Sequence, residues 1–87
     1  MTKRMEKIID TYETKMDDEI WALERGFNSY EICQGRLLKI SNDFSKMRLL
    51  MYQFNAITQN DFDETAGTEC IVYHKYYCKA LPYIKEA

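Results

Sequence analysis

Eighty-seven residues, 30% charged and 46% hydrophobic with a formal net charge of -2, make one small domain with a thin core. Chains divide only beyond roughly 250 residues, and one this short buries only about 60–65% of its unfolded surface. Three glycines and one proline exclude collagen-like, linker-like and turn-rich all-β chains, no run of about 18 apolar residues could span a membrane, and the acidic balance argues against a surface made to coat nucleic acid.

The first segment carries Met5, Ile9, Tyr12, Met16, Ile20 and Leu23 at spacings of three and four, which is one face of an α-helix. Lys7, Asp10, Glu13, Asp17, Asp18 and Glu24 follow the other face. Gly26 can adopt the left-handed conformation that ends a helix, so the first helix is predicted over residues 3–25. The charged start Met1-Thr2-Lys3-Arg4 has no apolar stretch behind it and does not read as a secretory signal.

Asn28 with Glu31 three residues on reads as a capping box, and Phe27 with Ile32 sits where a hydrophobic staple needs apolar side chains. A joint this short predicts an antiparallel hairpin or a sharp corner. The second helix then places Tyr30, Cys33, Leu37, Ile40, Phe44, Met47, Met51 and Phe54 in an unbroken heptad pattern. Leu38, Leu49, Leu50, Tyr52 and Ile57 fall outside that seam. At about thirty residues the helix has a length of about 45 Å, which overhangs a compact chain of this size. Either it bends at Ser41-Asn42 or the fold is elongated, and the second is favoured. A self-associating surface through Leu37, Ile40, Phe44, Met47, Met51 and Phe54 follows, so a homo-oligomer is expected.

Residues 59–67 are polar and acidic and read as a connection, with Asp61 and Glu64 as a second capping box. Phe62, Ala66, Cys70, Tyr73, Tyr77 and Leu81 then predict a third helix ending near Ala80, before Pro82. Residues 70–78 are also rich in strand formers, but a lone strand would have no partner in an otherwise helical chain. The expected fold is all-α: a long two-helix hairpin with a third helix packed across it, elongated or dimeric.

Chemistry-bearing motifs are few. Cys70, His74 and Cys78 share one helical face at i, i+4, i+8, and Cys33 would be the only further thiol. Without a C-x2-C pair, buried or free thiols in a reducing compartment are the simpler reading, so no metal, no cofactor and a cytoplasmic setting are expected. His74 is the only histidine, and no G-x-S-x-G elbow, phosphate-binding loop or EF-hand register is present. No enzymatic activity is expected.

Two surface chemistries remain. Arg36, Lys39, Lys46 and Arg48 form a basic strip that could meet phosphates, although this helix is too long and too apolar at its end for a recognition helix. Tyr73, Tyr76, Tyr77 and Tyr83 crowd the C-terminal region, and tyrosine is enriched in protein interfaces. Those four tyrosines, with Asp17, Asp18, Asp61 and Asp63, are the expected contacts for a protein partner. Lys, Ile, Asn, Tyr and Phe are frequent while Ala and Gly are scarce, as in AT-rich bacterial and phage genomes. The functional expectation is a small acidic regulator or inhibitor that occupies a surface of a host protein complex, with a nucleic-acid-binding dimer as the alternative.

Overall fold

The computed structural model describes residues 2–84. Helix α1 is Lys3–Glu24, α2 is Tyr30–Gln53 and α3 is Gln59–Ala80, followed by one 3-10 turn over Leu81–Tyr83 at Pro82. No strand occurs among the described residues.

The helices run up, down and up, so α3 lies alongside the hairpin over its whole length rather than across it. Tyr12 reaches Glu69 and Glu13 reaches Tyr76, so α1 and α3 are parallel. Glu19 meets Cys33 and Arg36, while Ser45 and Arg48 meet Glu69, so α2 is antiparallel to both. The result is an elongated bundle of 47 × 20 × 17 Å.

Both interhelical turns follow one plan. After α1, the Gly26 N–H donates to the Leu23 carbonyl and the Phe27 N–H to the Ala22 carbonyl, with Gly26 at φ +74°. After α2, the Asn55 N–H donates to Tyr52 and the Ala56 N–H to Met51, with Asn55 at φ +58°. Each is a Schellman motif that satisfies the last carbonyls of the helix. Each next helix is capped by a hydroxyl: Ser29 Oγ accepts from the Ile32 N–H at 3.2 Å, and Thr58 Oγ1 from the Asp61 N–H at 3.1 Å.

These turns correct four expectations. Ser29 caps α2, while Asn28 Nδ2 instead lies 3.5 Å from the Glu19 carboxylate. Phe27 and Ile32 do not form a buried staple, since both are exposed and Phe27 lies against Trp21 with ring centroids 5.6 Å apart. Helix α2 stops at Gln53 because Asn55 takes the left-handed conformation there, and the acidic segment after Thr58 is the first two turns of α3. Carboxylates are favoured at that end by the helix dipole.

The α1 stripe is buried as expected: Met5, Ile9, Tyr12, Met16, Ile20 and Leu23. On α2 the buried line is Cys33, Leu37, Phe44 and Arg48. An α-helix turns every 3.6 residues, so a strict heptad seam drifts by about 20° per repeat. By the end of α2 the drift has carried Met47 and Phe54 outward and Arg48 inward. On α3 the buried line is Asp61, Thr65, Glu69, Val72, Tyr76 and Ala80. It lies one position before the apolar series Phe62, Ala66, Cys70, Tyr73, Tyr77 and Leu81, a rotation of about 100°.

Candidate interaction surfaces

The buried charges decide which candidates are available to a partner. Arg48 Nη1 donates to Glu69 Oε2 at 3.0 Å, and both side chains are buried. Ser45 Oγ hydrogen-bonds Glu69 Oε1, Ser41 Oγ lies 3.5 Å from the same oxygen, and the Tyr12 hydroxyl donates to the Glu69 backbone carbonyl at 3.3 Å. The guanidinium lies over the rings of Phe44 and Phe62, with centroids 5.8 and 5.3 Å away. Burial first, then the nearby Glu69 charge, pushes the Tyr12 phenol above its ordinary pKa, against the pull of Ser41. Arg48 Nε and Asp61 Oδ2 are buried and have no hydrogen-bond partner among the described residues. Arg48 is therefore a structural cation that closes the bundle and is withdrawn from the basic strip.

The rest of that strip is partly neutralised. Arg36 Nη1 lies 3.5 Å from Glu19 Oε1 and Lys39 Nζ 2.9 Å from Asp43 Oδ2, which holds the Asp43 carboxyl below its usual range, chiefly through the Lys39 bond. Lys46 is exposed. Arg36, Lys39 and Lys46 are the exposed members of the strip, two of them paired with a carboxylate.

The tyrosine cluster divides. Tyr76 is a core side chain, only 1% exposed, so it is no contact residue. Its ring packs under the ammonium groups of Lys75 and Lys79 at 5.2 and 4.8 Å, and its hydroxyl lies 3.5 Å from Glu13 Oε2. Burial, then the Asp17 and Glu13 carboxylates, raises its pKa far above the ordinary tyrosine value. Tyr73 and Tyr77 are half-buried against each other at 6.2 Å, and Tyr83 is exposed in the 3-10 turn. Among the acidic candidates, Asp17, Asp18 and Asp63 are exposed, whereas Asp61 is buried and so is no surface contact. Parallel packing sets Asp17 level with Tyr76, roughly 20 Å along the axis from Asp63, so the carboxylates do not form one patch.

The expected self-association series divides as well. Leu37 and Phe44 are core, and Ile40 and Met51 are half-buried. Met47 is 38% exposed and Phe54 79% exposed. Leu50, outside the heptad seam, is 53% exposed and joins them, because residues 47, 50 and 54 stand at i, i+3 and i+7. Met47 also borders a groove of about 240 Å³ between α1 and α2, whose lining includes Ile8, Tyr12, Ile40 and Phe44, with Lys15 and Asp43 among its polar residues. Groove and stripe make one apolar track from mid-bundle to the α2–α3 turn. A second exposed group stands at the other end of the bundle. There Trp21 lies between Phe27 and the Arg25 guanidinium, which is 4.1 Å from its ring. The heptad pattern pointed to Met47, Met51 and Phe54. Leu50 joins them on a helix of 3.6 residues per turn.

Among the described residues no helix is long and apolar enough to cross a membrane, and no three His, Cys, Asp or Glu side chains converge as a metal cluster. Cys33 is buried in the core, its thiol 3.8 Å from the Glu19 carbonyl, and burial raises its pKa. It is thus no fourth ligand for the exposed Cys70, His74 and Cys78. No protein family, curated protein or solved structure matches the chain.

Proposed function

We propose that this chain is a small cytoplasmic regulator that binds another protein and acts by covering one of its surfaces. The observation that carries this reading is the apolar track of Met47, Leu50, Met51 and Phe54 leading out of the α1–α2 groove. Contiguous apolar surface on a small domain marks interaction sites, and aromatic and methionine side chains are enriched in them. An amphipathic helix of the partner suits a groove of this form, its anchors spaced as the track is. The composition, rich in Lys, Ile, Tyr and Phe, supports a bacterial or phage origin and hence a host complex as the target.

Self-association through the same track is the second reading, favoured by the exposed Met47 and Phe54 of the heptad series. Leu50→Glu and Phe54→Glu test both. Neither side chain is core, so circular dichroism should stay helical. A partner retained by the native chain in stoichiometric amount should be lost from both variants, and retention by both would overturn the assignment. In sedimentation, a dimer that becomes a monomer in the variants would instead make a second copy the occupant.

A further inference from the structure

We propose that His74 and Cys78 form a two-donor binding site for zinc or a similar divalent transition ion on the outer face of α3. The two residues stand one turn apart, at i and i+4, and both are exposed. His74 Nε2 and Cys78 Sγ lie 3.5 Å apart. Tetrahedral zinc takes Zn–S at about 2.3 Å and Zn–N at about 2.0–2.1 Å, and an angle near 109° then puts the two donors about 3.5 Å from each other. The pair already has the separation that one ion would impose, so binding requires no movement of the helix.

The donor types agree with the geometry. A neutral imidazole with its proton on Nδ1 presents a lone pair at Nε2, and thiolate is the strongest zinc donor among side chains. Binding exchanges the thiol proton of Cys78 for the metal, and that proton passes to the buffer. Two donors fixed on one helix act as a chelate, since the first bond holds the second donor at high effective concentration. The other two tetrahedral positions are left to water in the isolated chain. Cys70, one turn earlier, is exposed but does not converge with the pair. This site is independent of the protein-binding reading, because it lies on α3 and not on the track of α2.

Titration of the reduced full chain with Co(II), followed by displacement with Zn(II), tests the proposal. One Co(II) per chain should bind with a thiolate-to-cobalt charge-transfer band that Zn(II) abolishes. His74→Ala and Cys78→Ser should each weaken binding by roughly tenfold or more, while Cys70→Ser leaves it unchanged. Both variants alter exposed side chains, and circular dichroism confirms that each remains folded. Absence of the band, its survival in Cys78→Ser, unchanged affinity in His74→Ala, or its loss in Cys70→Ser would each overturn the assignment. A simple thiol–imidazole hydrogen bond at the same distance would give the first of these results.

Discussion

Helices α1 and α3 are each 22 residues long and run parallel to one another, yet they bury different chemistry. The buried line of α1 is apolar at every position, with the tyrosine hydroxyl of Tyr12 its only polar atom. The buried line of α3 begins with Asp61, Thr65 and Glu69 before it reaches Val72, Tyr76 and Ala80. Asp61 Oδ2 has no partner among the described residues, while Thr65 and Glu69 are each answered in their own way. Thr65 Oγ1 bonds the Asp61 carbonyl one turn back at 2.7 Å, a local solution available to any helical threonine. Glu69 requires Arg48 and the two serines of α2. An apolar stripe can face any apolar neighbour, whereas a buried glutamate accepts one partner in one register. The α3 side of the bundle therefore fixes which face of α2 turns inward.

The largest expected effect breaks that arrangement at its centre. Glu69→Ala leaves the Arg48 guanidinium buried without its counter-charge, and such a change typically costs about 3–5 kcal/mol. The double variant Arg48→Met with Glu69→Leu replaces both charges by apolar groups of similar size and should recover most of that loss, as buried pairs often do. Chemical denaturation of the three chains measures both quantities. A double variant as unstable as Glu69→Ala would show that the serine contacts to the Glu69 carboxylate, and not charge compensation, hold this layer together.

A smaller effect arises where the two lines meet, at the Tyr76 hydroxyl beside Glu13 of α1. The folded pKa of Tyr76 is raised from its ordinary 10.0 by burial and then by the Asp17 and Glu13 carboxylates. Below that ordinary value the phenol is neutral in both folded and unfolded chains, and its contribution is fully present. Above it the unfolded chain ionises while the folded chain keeps its proton, so stability falls as pH rises towards the folded pKa. One such group contributes a slope of up to about 1.4 kcal/mol per pH unit. Tyr12 acts with the same sign and is common to both chains compared. Tyr76→Phe should therefore lose less stability than the native protein between about pH 9 and about pH 11. Equal losses would place the phenol in contact with solvent.

The contrast between the helices also explains what could be read in the sequence. Apolar spacing located the α1 stripe residue for residue, and Gly26 and Pro82 marked two helix ends correctly. The same spacing rule chose Phe62, Cys70, Tyr73 and Tyr77 on α3 and missed the true face by one position, because it counts apolar side chains and Glu69 is buried by pairing. Arg48 reads as a surface cation for the same reason, since its partner lies 21 residues away. Tyr76 falls among the expected interface residues because an abundance of tyrosine does not say which ring is inside. The exposure of Leu50 and Phe54 follows from the drift of a 3.6-residue helix away from a heptad, which the sequence contained.

The smallest effect lies in the turns, where the same contrast recurs between residues that fill the same role. Gly26 and Asn55 both stand at the left-handed position of a Schellman motif, at φ +74° and +58°. No atom outside the immediate backbone lies within 4 Å of a Cβ placed on Gly26, so the demand there comes from φ and not from space. An L-residue in this conformation is disfavoured by about 1–2 kcal/mol, a cost that asparagine reduces and glycine avoids. Glycine in turn loses more backbone freedom on folding, by roughly 0.5–1 kcal/mol. For Asn55→Gly the relief of φ exceeds the added entropy only slightly, so a gain of about 0.5 kcal/mol is expected. The reverse change, Gly26→Asn, should cost a similar amount, and Gly26→Ala about 1 kcal/mol or more. If Asn55→Gly destabilised the chain, the asparagine side chain would be contributing to the turn beyond its tolerance of φ. The two turns would then differ in mechanism while sharing a hydrogen-bond pattern.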